Sequence, residues 1–518
     1  MPPFKFSHLS TPFTQIGSYA LFSRILGFLR DLVIAQLFGA NANTDAFFIA
    51  FKLPNLTRRL FAEGAFAVTL VPLFTAKHAQ HGDVGVRSLL ANLSGTLTVS
   101  LFIITVLGSL AAPLVIFLLA PGVALDPQRG PLAIDMLYLT LPYLILIGLT
   151  ALLGAVLNTY QRFVVPALAP ALLNISLISC AFLIAPHLDQ PIFALAWGVL
   201  IAGIAQVLIQ LPALIRLNLL SWPRFHLRDP LVRTVLTGMG PNVFGVAAHQ
   251  VNLLLASFFA SLLASGSISW LYYAERLLEF PLGILGSALG TAIVPLLAHA
   301  YIKGSAHEFH STLDQAVRWI LFLGMPATAG LCLLAVPIIA LLFHSEHFND
   351  HDVLMAGYAL MAYALGVIPL LAIKVLAPAC YSRGDAQTPI RIAVLTVGCH
   401  LVLSAIFIWP LGHAGLALSV ALASLFNAVL LLRAVLQSGA WSMTVEWWQF
   451  FQRIVVATLI MIIWLWLMMG SYQEWLQMSK AADSLRLLRL IIMAILIYLG
   501  TLFLIGVRPR HLWQRQST

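Results

Sequence analysis

Charge is what this sequence has least of. Asp, Glu, Lys and Arg make up 9% of its 518 residues, against 60% hydrophobic ones, and the mean hydropathy is +0.94. A soluble domain is nearer a quarter charged, so a water-soluble globular protein is excluded. Cysteine is almost as scarce. Cys180, Cys332, Cys380 and Cys399 lie in or at the ends of apolar runs, with no C-x-x-C or Cys/His cluster. That excludes a disulfide framework and a thiolate metal site, since lone buried thiols pack as small hydrophobes. Catalytic signatures are missing as well. There is no G-x-x-x-x-G-K-[ST] loop for ATP, no H-E-x-x-H and no G-x-S-x-G. Connections longer than about 20 residues are lacking, which leaves little room for a catalytic domain outside a membrane. The reading is a protein that is not an enzyme and holds no cofactor. Near the N-terminus, Lys5 is followed by polar S-H-L-S-T-P without a small-residue cleavage site, so no cleaved signal peptide is expected.

Long hydrophobic runs are abundant. Apolar spans of about 20 residues recur about fourteen times between residues 13 and 507. They centre near residues 25, 60, 103, 145, 175, 203, 247, 283, 329, 365, 399, 424, 458 and 496. The expected fold class is an all-α polytopic membrane protein. The net charge of +9 does not point to nucleic acid, because the basic residues fall in short loops rather than along a soluble face. With the N-terminus cytoplasmic, inside loops carry Lys77, Arg87, Arg162, Arg216, Arg224, Arg228, Arg233, Lys303, Arg318, Arg383, Arg391 and Arg433, and the tail adds Arg508, Arg510 and Arg515. Outside loops then hold Asp126, Asp135, Asp189, Glu346, Asp350, Asp352, Glu474 and Asp483 against little more than Arg129 and Lys480. This alternation follows the positive-inside rule and puts both termini inside.

An internal repeat divides the chain. V-P-L at 71–73 returns at 294–296, Y-Q-R at 160–162 is echoed by Y-S-R at 381–383, and A-L-A-W-G-V at 194–199 by G-L-A-L-S-V at 415–420. The offsets are 223, 221 and 221 residues. Two parallel lobes of about six helices each follow, over 13–218 and 230–438, with a further helix pair over 446–507. Parallel repeats related by an axis along the membrane normal are the geometry of rocking transporters with a central cavity.

Twelve charged residues lie at membrane depth: Arg24, Arg30, Asp31, Asp45, Lys52, Arg58, Arg59, Glu63, Glu275, Arg276, Glu279 and Lys374. A charge at the bilayer centre costs roughly 2.5–3.5 kcal/mol on insertion scales, so a cluster of them marks a polar cavity. On the first helix Arg24, Gly27 and Asp31 share a face through their i, i+3, i+7 spacing, while Arg30 points elsewhere. In the second, Pro54 interrupts helical hydrogen bonding, and Arg59 and Glu63 are i, i+4 neighbours able to pair. The eighth reads W-L-Y-Y-A-E-R-L-L-E-F-P from residue 270. Plain ion pairing stays open for Arg59 with Glu63, for Arg276 with Glu279 and for Arg24 with Asp31, and snorkelling or capping for Lys52 and Lys374. The seven bases outnumber the five acids, and arginine's planar fork binds phosphate bidentately. An anionic, phosphate-bearing substrate is the sharper expectation. A cation-coupled drug exporter would want a dominantly acidic cavity. A lipid-linked glycosyltransferase would want a catalytic carboxylate on a large outside loop.

S-R-I-L-G-F-L-R-D at 23–31, F-G-A-N-A-N-T-D-A-F-F-I-A-F-K-L-P-N-L-T-R-R-L-F-A-E-G-A-F at 38–66 and the 270–281 stretch resemble the MurJ (MviN) family of lipid II flippases. L-N-T-Y-Q-R-F at 157–163 and V-L-A-P-A-C-Y-S-R at 375–383 extend the likeness. The resemblance implies the multidrug/oligosaccharidyl-lipid/polysaccharide exporter fold. It also implies export of undecaprenyl-pyrophosphate-linked disaccharide-pentapeptide to the periplasmic leaflet of the bacterial inner membrane by alternating access, for cell-wall synthesis. Substrate binding maps onto Arg24, Arg30, Asp31 and Arg276. Gating or supporting roles map onto Ser23, Asp45, Arg58, Arg59, Glu63, Glu275, Glu279 and Lys374. Relatives often carry Asp where Glu275 stands. The pair over 446–507 is expected to form a groove for the lipid tail. Partners are expected to be lipid II, membrane lipids and proteins of cell-wall synthesis, and the membrane potential or an ion gradient is expected to supply the drive.

Overall fold

A computed structural model of the protein describes residues 10–62, 65–226, 252, 254–442, 445–477 and 480–508. Glu63, Arg228, Arg233, Arg510, Arg515 and the centre of the span expected near residue 247 lie outside these residues. Every regular element among the described residues is a helix, as a bilayer demands of a chain that does not close a barrel. Nine of these helices are long and apolar enough to cross a membrane by length and composition. Some hold more than one expected span. The helix over Gln387–Gln437 contains those near 399 and 424, and Gly412 breaks it with φ 55° and ψ −132°. Gly82, with φ 59°, breaks Ala65–Leu110 in the same way. Both positions need the positive φ that glycine adopts without a Cβ clash.

The chain forms two compact units that divide between Gly266 and Ser267. The first contains α1 (Ser10–Phe38), α2 (Ala42–Ala62), α3 (Ala65–Leu110), α4 (Ala112–Leu119), α5 (Pro121–Ala124), α6 (Arg129–Thr140), α7 (Tyr143–Thr159), α8 (Val164–Leu183), α9 (Phe193–Leu208) and α10 (Leu211–Arg216). Helix α1 packs on α8, α2 on α6 and α7, and α3 on α7. Leu70, Phe74, Leu89, Leu152, Val156 and Leu214 bury together where α3, α7 and α10 meet. The division falls later in the chain than 218–230 because residues 254–266 are tied to this unit. Ser261 Oγ accepts the Gly122 N–H at 3.1 Å, and Asp45 Oδ2 accepts the Gly266 N–H at 2.7 Å.

The second unit contains α11 (Ser267–Ile302), α12 (Ala306–Leu333), α13 (Ala335–Phe343), α14 (Asp350–Ala364), α15 (Val367–Tyr381), α16 (Gln387–Gln437), α17 (Val445–Met469), α18 (Tyr472–Gln477) and α19 (Lys480–Leu504). Helix α11 packs on α12, α14 and α15, and α16 on α14 and α15. The pair outside the sequence repeat, α17 and α19, packs on itself and on α12. Tyr498 secures it by donating to the Phe322 carbonyl at 2.8 Å.

The repeated Y-x-R motif falls at a helix end in each unit, where a different residue of it makes the contact. After α7, Tyr160 donates to Asp83 Oδ1 at 2.6 Å, and Gln161 takes the left-handed conformation at φ 59°. Burial, with Asp83's charge beside it, pushes the Tyr160 phenol well up. After α15, Arg383 donates to the Ser438 hydroxyl.

Three charges that the sequence assigns to outside loops are instead buried, among them Asp483 in the first turn of α19 at 4% exposure. Arg129 opens α6 at 7% exposure, and Asp352 lies in the first turn of α14 at 4%. Asp352 completes a capping box with Asn349 and accepts from Trp270 Nε1 at 2.8 Å. A first-turn carboxylate satisfies helix N–H groups that would otherwise have no partner.

Candidate functional site

The first unit places its charged residues on α1 and α2. Arg30 and Asp31 are buried, whereas Arg24, about a turn and a half earlier on α1, is exposed. Arg30 Nη2 and Nε both donate to Asp31 Oδ1, at 2.6 and 2.9 Å. Adjacent helix positions diverge by about 100°, so helical phase alone turns Arg30 away from Asp31. The arginine stem is long enough to bring the guanidinium back. A third bond comes from α8, where Asn174 Oδ1 accepts from Arg30 Nη1 at 3.0 Å. Asn174 Nδ2 donates in turn to the Ser23 carbonyl at 3.1 Å. The amide sits over Gly27, where a methyl would meet it at 3.5 Å. Asn174 therefore grips α1 at two points and fixes the direction of Arg30. Sequence reasoning missed it, because a single Asn in an apolar helix carries no local signal. Its one available clue was polarity at membrane depth.

Helix α2 starts from a turn in which Asn41 Oδ1 accepts the N–H groups of Asn43 and Thr44. Asp45, fully buried in its first turn, accepts from Gly266 and stands 3.9 Å from Arg129 Nη1. Arg129 Nε also donates to Asp126 Oδ2 at 3.0 Å. The Arg129 backbone N–H, joined by that of Gln128 and by the guanidinium, holds the Asp126 carboxyl below its usual range. Asp45 is thus the centre of a tie between helix ends. Further along, Pro54 removes the N–H that would serve the Ala50 carbonyl, and the Thr140 hydroxyl approaches that oxygen at 3.5 Å. Arg58 donates from Nε and Nη2 to Asn55 Oδ1 at 3.3 and 3.1 Å. Lys52, Arg58 and Arg59 are all half-buried.

The second unit carries its set on α11. Arg276 donates from Nη1 to Glu279 Oε2 at 2.6 Å, and its guanidinium lies 4.8 Å from the centre of the Tyr272 ring. This i, i+3 pair lies within one helix, so it does not staple two helices together. Glu275 is half-buried and Glu279 exposed. Lys374, on α15, donates to the Leu282 carbonyl of α11 at 3.1 Å, one residue past Pro281. Gly286 makes room for the lysine stem there. Of the two expectations for Lys374, this contact is carbonyl capping.

An all-helical chain with membrane-spanning helices, and with arginines held by partners on its first and eleventh helices, is a polytopic membrane transporter in class. The sequence profile described as Lipid II flippase MurJ matches residues 34–485. The "Probable lipid II flippase MurJ" of Vibrio cholerae serotype O1 is 41% identical over 505 residues, covering 96% of each chain. The "Lipid II flippase MurJ" of Burkholderia cenocepacia is 38% identical over 450 residues, covering 86% of this chain and 87% of that one. A solved lipid II flippase MurJ in an inward closed conformation superposes with a TM-score of 0.80 at 25% identity, over 94% of this chain and 97% of that one. An inward-facing MATE transporter of the MOP superfamily shares the fold, with a TM-score of 0.67 at 13% identity, over 82% of this chain and 98% of that one. The chain belongs to the MurJ lipid II flippase family. It is a multi-pass bacterial membrane protein.

Proposed function

We propose that this protein carries lipid II from the cytoplasmic to the periplasmic leaflet of the inner membrane by alternating access, with both termini cytoplasmic. The observation that carries the reading, beyond membership of the family, is the state of the α1 arginines. Arg30 is buried and oriented by Asp31 and Asn174, while Arg24 is exposed on the same helix. A guanidinium fixed in advance loses little side-chain freedom when a pyrophosphate arrives. An exposed one nearby can make the first contact. Asp31 limits the charge of the pair when no anion is bound. Arg276 supplies the second unit's cation, steadied by Glu279 and Tyr272.

The substrate's head must cross the membrane and its tail need not leave the bilayer. Helices α17 and α19 expose Leu459, Ile463, Trp466, Leu488, Ile492 and Leu496, an apolar surface suited to a polyprenyl chain. No ATP loop is encoded, and an inside-negative potential favours outward movement of an anion by about 2.3 kcal/mol per charge per 100 mV. The test is leaflet-resolved accessibility of lipid II in cells that depend on Arg24→Ala, Arg30→Ala or Arg276→Ala variants. The expected outcome is loss of lipid II at the outer surface with each. Full complementation by all three would overturn the arginine assignment, and unchanged outer exposure after depletion of the protein would overturn the flippase reading.

A further inference from the structure

Residues 219–226, L-L-S-W-P-R-F-H, follow α10 and run in extended form along α3. Backbone and side-chain bonds strap them down. Arg224 N–H donates to the Ala91 carbonyl at 2.8 Å, His226 N–H to Thr96 Oγ1 at 3.1 Å, and Ser221 Oγ to the Arg87 carbonyl at 3.2 Å. Gly95 permits the approach, because a methyl there would run into the backbone N, C and O of Arg224. Leu219 anchors the near end in the core beside Leu90, Leu93 and Leu214.

The other side of the strap faces outward, and its composition is unusual for water. Trp222 is 90% exposed, Phe225 52% and Leu220 43%, and Ile215 at the end of α10 is 56% exposed. Arg216 and Arg224 are exposed among them. The depth of the segment follows from helix arithmetic. Taking as mid-membrane residue 103, the centre that hydropathy gives this span in the sequence, Gly95 stands about 12 Å from mid-membrane and Ala91 about 18 Å at 1.5 Å per residue. The hydrocarbon core ends about 15 Å from its centre, between these two residues. Arg224 is therefore bonded to α3 at the boundary between acyl chains and headgroups. Indole and phenyl rings favour that layer, and arginines there meet lipid phosphates.

We propose that residues 215–226 are an interfacial docking surface for the bilayer leaflet at that end of α3. Trp222 and Phe225 enter the acyl boundary, and Arg216 and Arg224 bind anionic phospholipid headgroups. Gly95 is the feature that holds the surface at the right depth.

The test uses the full chain with its four cysteines replaced and bimane attached at Trp222→Cys or Phe225→Cys, reconstituted in vesicles. Bromine-labelled acyl chains are expected to quench both probes, and aqueous iodide to quench them weakly. Adding phosphatidylglycerol to phosphatidylcholine is expected to shift the emission to the blue. Arg216→Gln and Arg224→Gln are each expected to lower the apparent preference for phosphatidylglycerol about fivefold. Gly95→Val is expected to restore iodide access, and the wild-type-strap measurements decide the matter even where that variant fails to fold. Iodide quenching without bromine quenching would place the strap in water and overturn the proposal. Quenching by neither reagent would mean that protein covers it, with the same consequence. Identical behaviour in both lipid mixtures would overturn the headgroup part.

Discussion

Asn174 is the most informative residue to perturb, because it touches α1 at two places and its own helix at none of the charged positions. Replacing it by alanine removes the acceptor for Arg30 Nη1 and the donor to the Ser23 carbonyl. A hydrogen bond to a charged group contributes about 1.5–3 kcal/mol, and a neutral one about 0.5–1.5. Arg30 keeps its two bonds to Asp31, so the chain should still fold, at a cost of about 2–4.5 kcal/mol. About 1.4 kcal/mol of this, appearing as misdirection of the guanidinium, would slow substrate loading tenfold. Asn174→Asp sharpens the case. Its carboxylate still accepts from Arg30 but cannot donate to Ser23, and it sets a second acid against one arginine. Charge on Arg30 would then be neutralised toward an incoming anion, and loss of activity should exceed that of Asn174→Ala although the arginine is held more tightly. The assay is lipid II accessibility at the outer surface in a strain dependent on the variant, alongside the thermal unfolding midpoint of the purified protein. Wild-type accessibility for Asn174→Asp would refute the reasoning, and so would a ranking in which Asn174→Ala is the more severe.

Other outcomes follow from the same contacts. Asp45→Ala should destabilise the protein by about 2–3 kcal/mol, read as a lower denaturation midpoint, because Gly266 loses its buried acceptor and Arg129 a buried carboxylate 3.9 Å away, while Arg129 keeps Asp126. Arg24→Ala, at an exposed position, should leave that midpoint unchanged. The Asp126 carboxyl is held below its ordinary value of 3.8 in the folded chain, so the stability it adds is present above that pH and lost as pH falls through the lowered value. Asp126→Asn should therefore lower stability at neutral pH, where that contribution is present, and flatten the acid side of the profile so that variant and wild type converge at low pH. Single cysteines at Asp126 and Glu346 should react with an impermeant reagent from outside, and one at Arg162 only after permeabilisation. The reverse pattern would invert the orientation.

Much of the fold was legible in the linear chain because the bilayer restricts what a sequence can do. Apolar runs at membrane length must be helices there, and the charges left inside them had to mark something. Arg30, Asp31 and Arg276 could be singled out on that ground alone. The repeated Y-Q-R and Y-S-R were visible as strings, although the contacts that Tyr160 makes in one and Arg383 in the other were not. The burial of Arg129 was not legible for a simple reason. A charge beside Asp126 in a short polar stretch looks like a loop residue until Asp45, on another helix, is seen to reach it.

What the sequence by itself determined was local or compositional: the helical class, the polytopic membrane character and the motifs that mark the family. Tertiary structure alone decided which groups meet. Asn174 lies 144 residues from Arg30, and Gly266 lies 221 from Asp45. Hydropathy and helical phase describe a segment against an average environment and hold no information about a partner that far along the chain. Gly95 makes the same point. In the sequence it is one small residue in an apolar helix, and only packing shows that its missing side chain admits the backbone of Arg224.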